Sequence, residues 1–298
     1  MNLRQLRAAV EVARTSSFTR AAEGLGVAQP ALSQAIAALE RELGLSLFER
    51  TSRRVRPTGA GTAFVERAAR ILADVDALRS EMVEHAGAVR GRVVVGSIQL
   101  FSETVLPGIL AAFHRRHPDV DLVLREDVSH PMLATLRAAE LDLAIVNVDD
   151  PAAYPEFAFE TLYRDELAIA VAPHHPLAAQ PSTTLRALRN ADWVAFRSGS
   201  GLHATLHDAA RRDGFVPRIV VESGDALTLR SLVSEDLGIA LLPQVFLNEP
   251  GPPVVSVALR DPPLVRTIAL ATRRNAPASA AARAFTAFLR EARAQTRR

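Results

Sequence analysis

The chain of 298 residues contains no cysteine. That absence removes disulfides, thiolate metal sites and a cysteine nucleophile, and it suits a reducing compartment. Lysine is missing as well, so all 35 residues counted as Lys or Arg are arginine. A P-loop lysine, a pyridoxal Schiff base and a lysine general base are thereby excluded. No apolar run approaches the about 20 residues that span a bilayer. The opening MNLRQLRAAVEVARTSSF lacks an uninterrupted apolar stretch followed by a cleavage signal, so it does not read as a secretory peptide. What remains is an ordinary globular composition, 48% apolar and 23% charged, at a length that supports two or more cored domains. The expectation is a soluble, cytoplasmic protein with no membrane partner.

The net charge of +2 is too small to imply nucleic acid by itself, but its distribution is uneven. Residues 1–60 hold nine Arg against five Glu, and four of those Arg (Arg50, Arg53, Arg54, Arg56) fall within seven residues. Leu3, Leu6, Val10 and Ala13 mark a first amphipathic helix. Ser16 and Ser17 are N-cap candidates for a second, and Gly26 supplies its end. Pro30 suits the first turn of a third helix, on which Ala31, Leu32, Ile36 and Leu39 recur with helical period up to Gly44. Two short helices joined by a tight turn form a helix-turn-helix, whose second helix lies in the DNA major groove. Gln29, Pro30, Ser33 and Gln34 lie at the N-terminal end of that helix. Gln pairs bidentately with adenine, and Ser bonds several base edges or a phosphate. LSLFER and RRVRPTG then read as two strands around a basic turn, a wing. Its Arg50, Arg53, Arg54 and Arg56 would meet phosphates or the minor groove; the alternative is a solvated basic loop.

The opening NLRQLRAAVEVARTSSFTRAAEGLGVAQPALSQAIAALERELGLSLFER, with the adjoining RTSRRVRPTGAG, resembles the DNA-binding domain of the LysR-type transcriptional regulators. The order of the later segments matches too, so the resemblance covers essentially the whole chain. It departs at Ala28, where many members carry a capping Ser, and at Gln34, where many carry Arg. The resemblance implies a sequence-specific promoter-binding regulator rather than an enzyme, acting on double-stranded DNA as a dimer or a dimer-of-dimers tetramer. It further implies a small, usually anionic, metabolite as effector and RNA polymerase as a neighbour at the promoter.

Thr58 is a fitting N-cap for a helix running to about His85. Phe64, Ala68, Ile71, Val75, Leu78 and Met82 recur on it at spacings of 4, 3, 4, 3 and 4, an a/d seam. The seam reads as a linker helix pairing with a second subunit, or alternatively as one buried against the chain's own second domain. Beyond the small-residue break HAGAVRGR, strands alternate with helices, which implies parallel pairing in an α/β layer. Separate strands are expected at 157–162 and at LAIAVAP, and VRTIALAT reads as a late strand before a helix from Ala278 to Ala294. Two α/β halves of this kind resemble the periplasmic-binding-protein fold. The expected fold class is therefore α/β with an N-terminal all-α winged helix-turn-helix domain (1–58), a long linker helix (59–88) and a two-lobed periplasmic-binding-protein-like effector domain (91–298). Lobe 1 takes 91–162 and 268–298, and lobe 2 takes 165–265.

Ligands in open α/β sheets bind beyond the carboxyl ends of strands, near helix N-termini. Polar residues at those junctions are Ser97, Gln99, Ser129 and Asn147 in the first half and Arg197, Ser198, His203 and Ser223 in the second. Other roles stay open: N-capping for Ser97, Ser129 and Ser223, an interlobe salt bridge for Arg197, and for His203 a ring that simply meets solvent on the outer side of a surface helix. No cofactor or metal site is signalled. His203 and His207 are i,i+4, but no HExxH or third ligand accompanies them, and no GxSxG surrounds Ser198 or Ser200. A solute-binding protein, which residues 91–298 alone could form, is the remaining rival.

Overall fold

The computed structural model describes residues 1–50, 55–84, 89–148, 150–274 and 276–296. The N-terminal part contains α1 (Leu3–Thr15), α2 (Phe18–Leu25), α3 (Gln29–Leu43), β1 (Phe48–Arg50), β2 (Val55–Pro57) and α4 (Gly59–Glu84). Asn2 and Gln5 close a capping box on α1, and Ser17, not Ser16, caps α2. Ser16 is instead the left-handed residue that ends α1. Gly26 and Gly44 terminate α2 and α3 in left-handed conformations, at φ 65° and 70°. Leu6, Val12, Phe18, Leu32, Ile36 and Leu39 form the three-helix core. Ala31, expected on the apolar face, is exposed.

The hairpin β1–β2 is tied to this core from two sides. The Glu40 carboxylate on α3 accepts from the Leu47 and Phe48 amides at 2.8 and 3.2 Å. The Thr58 hydroxyl donates to the Ser46 carbonyl and accepts from the Gly61 amide, capping α4. Gly61 is required by close approach, since a Cβ there would stand 1.9 Å from the Leu47 carbonyl oxygen. The first turns of α4 therefore pack on the N-terminal core. Phe64 joins that core and Ala68 is 1% exposed, so neither is available to the expected intersubunit seam. Ile71, Leu78 and Met82 do project outward, and Val75 is half-buried.

The remainder runs β3 (Gly91–Ser97), α5 (Gln99–Thr104), α6 (Leu106–Arg116), β4 (Val120–Glu126), α7 (Ser129–Arg137), β5 (Leu143–Asn147) and β6 (Phe157–Val171). It continues through β7 (Ser182–Thr184), β8 (Asp192–Phe196), α8 (Gly201–Arg212), β9 (Arg218–Ser223), α9 (Ala226–Ser234) and β10 (Ala240–Pro243). α10 (Gln244–Leu247), β11 (Val255–Arg260), β12 (Val265–Arg273) and α11 (Ala280–Thr296) complete it. The sheet order is β4-β3-β5-β12-β6-β11-β7, with β10 also on β6; β8 and β9 pair in parallel beside β10.

The two strands expected at 157–162 and 167–173 are one. β6 has 15 residues without Gly or Pro, roughly 50 Å of extended chain. It pairs with antiparallel β12 as far as Glu166, and then with β10 and β11 from Leu167 to Val171. β6 is thus shared by two half-sheets. The first half is cored on one face by Phe113 and Phe285, rings 4.9 Å apart edge to face, and on the other by Met132, Leu136 and Phe157. The second is cored around Trp193, which is fully buried.

Candidate functional site: an exposed recognition helix and an interlobe cleft

The N-terminal end of α3 is presented to solvent. Gln29, Pro30 and Gln34 are exposed and Ser33 is half-exposed, because Leu32, Ile36 and Leu39 on the opposite face are consumed by the core. Gln29 Nε2 donates to Ser33 Oγ at 2.9 Å, so the two base-reading candidates hold each other one turn apart. Ala28 occupies the N-cap with extended backbone and offers no side-chain cap, which leaves first-turn amides facing outward. On the adjoining hairpin Arg56 is exposed. Arg53 and Arg54 lie outside the described residues, as does the side chain of Arg50.

A cavity of about 230 Å³ lies between the two half-sheets, at the carboxyl ends of their strands. Gln99, Ser129, Asn147 and Arg197, four of the eight residues singled out from the sequence, line it. Ser129 Oγ accepts from the Asn147 amide at 3.0 Å, joining the start of α7 to the end of β5. From across the cleft Gly201, at the start of α8, lies against the Asn147 side chain. Asn147 Oδ1 is buried and has no donor among the described residues. The Arg197 guanidinium makes no ion pair among the described residues and lies close to Gly224, where a Cβ would be 3.1 Å from its Nε.

The other four depart from expectation. Ser97 is fully buried and its hydroxyl donates to the Ile98 carbonyl, so it faces the sheet rather than the cleft. Ser198 is exposed and outside the lining, whereas Ser200 lines the cavity and caps α8. Ser223 does not cap α9; Asp225 does, and the Ser223 hydroxyl accepts from the Asp225 amide. His203 faces an adjoining cavity of about 410 Å³ that also contains His130 and Tyr154. Its Nδ1 is 2.9 Å from the Phe196 carbonyl, and its ring stacks on His207 at 4.2 Å. Burial first, and then the neighbouring His203, hold the His207 imidazole below the usual histidine range.

Sequence reasoning missed the charged members of the cleft. Glu126 and Asp127 line it from β4 and the turn after it. Arg266 lines its floor, where Nε and Nη2 donate to Asp165 Oδ2 at 3.1 and 2.8 Å. The two residues are directly opposite in the β6–β12 ladder and are 7% and 2% exposed. Burial pushes the Asp165 carboxyl up, and the Arg266 guanidinium opposes it. Arg266 at the head of the apolar VRTIALA segment was the available signal; Asp165, between Arg164 and Glu166, offered none.

Residues 3–62 match the family described as "Bacterial regulatory helix-turn-helix protein, lysR family", and residues 86–294 match "LysR substrate binding domain". The chain is 33% identical to a probable hydrogen peroxide-inducible genes activator of Streptomyces viridosporus, over 98% of this chain and 94% of that protein. It is 30% identical to the transcriptional dual regulator GltC of Bacillus subtilis, over 97% and 96%. A full-length OxyR variant from Pseudomonas aeruginosa superposes with a TM-score of 0.80 at 26% identity, covering 97% of this chain and 95% of that one. The chain thus belongs to the LysR family of DNA-binding transcriptional regulators, with an effector-binding domain behind its helix-turn-helix.

Proposed function

We propose that this regulator reads promoter DNA with Gln29, Ser33 and Gln34 in the major groove, Pro30 setting the first turn beneath them. Arg56, with Arg50, Arg53 and Arg54, would meet the flanking phosphates. The observation that carries the reading is the outward face of α3, polar at its N-terminal end while its other face closes the core. The working units are 1–58, 59–88 and 91–298, the last divided into lobes at 162–165 and 265–268. Ile71, Val75, Leu78 and Met82 pair α4 with its counterpart in a second subunit, which presents two recognition helices to a near-palindromic site. Two such dimers on one promoter give a tetramer, adjacent to RNA polymerase.

The effector domain acts by binding rather than by turnover. A small metabolite held by Gln99, Ser129, Asn147 and Arg197 shifts lobe closure by its differential affinity for the two states, and α4 conveys the change to the DNA-binding pair. A thiol switch is chemically unavailable, because the chain has no cysteine. Among the described residues no helix is long and apolar enough to cross a membrane. The DNA target puts the protein in the cytoplasm.

The test is anisotropy or gel shift on the duplex upstream of the protein's own coding sequence against random DNA, across a salt series, with Gln29→Ala/Ser33→Ala as comparison. Specific binding lost in the double variant, with salt-dependent non-specific binding retained, is the expected result. Equal, weak binding of every duplex by both proteins would overturn the recognition helix.

A further inference from the structure

The charge balance of the cleft disfavours a plain anion. Its described charged lining comprises two carboxylates, Glu126 and Asp127, and two guanidiniums, Arg197 and Arg266. Arg266 is already neutralised by the buried Asp165, with two hydrogen bonds to one oxygen. Among the described lining residues, that leaves one cation without an ion pair against two carboxylates. A dicarboxylate or phosphate would gain one charge-assisted contact and face an excess of like charge, which costs binding free energy.

The charges are also sorted by lobe. Glu126 and Asp127 stand at the end of β4 in the first half-sheet. Arg197 comes directly after β8 in the second, beside the N-terminus of α8 with its outward amides and partial positive charge. Asn147 Oδ1, on the first side, is a buried acceptor lacking a donor among the described residues, and a ligand N–H or O–H would satisfy it there. The Gln99 amide does not offset the acid, because it is engaged with Glu103 at 2.8 Å. Burial first raises the Glu103 carboxyl, the Gln99 amide opposes it, and Asp225 and Glu126 raise it further.

Resting on the effector reading above, we propose that the effector is a small zwitterion of the amino-acid kind. Its carboxylate lies on Arg197 and the start of α8, and its ammonium lies between Glu126, Asp127 and Asn147. The cavity of about 230 Å³ is below the usual span for drug-sized ligands, roughly 300–1,000 Å³, which suits a molecule of this size. A ligand whose two charges address different lobes binds the closed state better than the open one, which is what a switch needs.

The experiment uses the full chain and follows unfolding through the single tryptophan, Trp193, buried in the second lobe. Individual L-amino acids are compared with their amine-free carboxylates, with their carboxylate-free amines, and with inorganic phosphate. Arg197→Gln and Glu126→Gln/Asp127→Asn are the variants. The expected result is that at least one amino acid raises the midpoint. Loss of its amine or its carboxylate, or either variant, should weaken binding by about tenfold or more, the scale of one charge-assisted contact. Amine-free anions that bind as tightly as any amino acid, and tighten further in Glu126→Gln/Asp127→Asn, overturn the zwitterion while keeping the cleft as an effector site. Midpoints unmoved by every amino acid also overturn it. Silence from phosphate and the carboxylates in addition removes the cleft reading itself.

Discussion

The Asp165–Arg266 pair sits where β6 leaves β12 to join the second half-sheet, so its loss should be felt by both lobes. Both side chains are nearly inaccessible, at 2% and 7% exposure, and the two hydrogen bonds are 3.1 and 2.8 Å. Removing one partner leaves an uncompensated buried charge, which costs about 3–5 kcal/mol, far above the about 0–1 kcal/mol of a surface pair. For a unit of some 200 residues that is a fall of roughly 6–20 °C in midpoint, at about 2–4 °C per kcal/mol. Arg266→Met and Asp165→Leu should each show this loss in urea unfolding followed by Trp193 fluorescence. The double variant should recover most of it, because two apolar side chains leave no buried charge unpaired, and the cycle should be strongly non-additive. Single variants costing under about 1 kcal/mol, or additive effects, would show that water reaches the pair and that the argument from burial is wrong.

Local geometry sets two further outcomes. Ala28 already has the extended backbone of an N-cap without the hydroxyl, so Ala28→Ser should stabilise the recognition helix by about 1 kcal/mol. Slower amide exchange in the first turn of α3 would show it; unchanged exchange would mean the amides are satisfied otherwise. His207 has a folded-state pKa below its ordinary value of 6.5. The unfolded chain therefore binds more protons between 6.5 and that lower pKa, and stability conferred by the neutral imidazole is lost as pH falls through this window. His207→Gln should flatten the acid side of the stability–pH curve there, and an unchanged slope would assign the loss to other groups.

Much of the N-terminal unit was legible in the linear order of residues, because its determinants are local. Ser17, Gly26, Pro30, Gly44 and Thr58 act within one turn of the helix they start or end, and Leu32, Ile36 and Leu39 declare a face by period alone. The alternation of strands and helices after residue 91, and four lining residues of the cleft, came from the same kind of reasoning. Where several elements converge, it failed. The a/d pattern on α4 is continuous in sequence, yet Phe64 and Ala68 are taken by the chain's own core while Ile71, Leu78 and Met82 stay outside, a division that depends on where α1 lies. Ser97 and Gln99 are two residues apart, but Ser97 ends β3 inside the sheet while Gln99 opens α5 at the cleft. Asp165 and Arg266 are 101 residues apart and meet only because β6 and β12 pair in one register. Local sequence determined which elements form; long-range strand pairing decided which charges share a cavity, since no periodicity records a contact between distant segments.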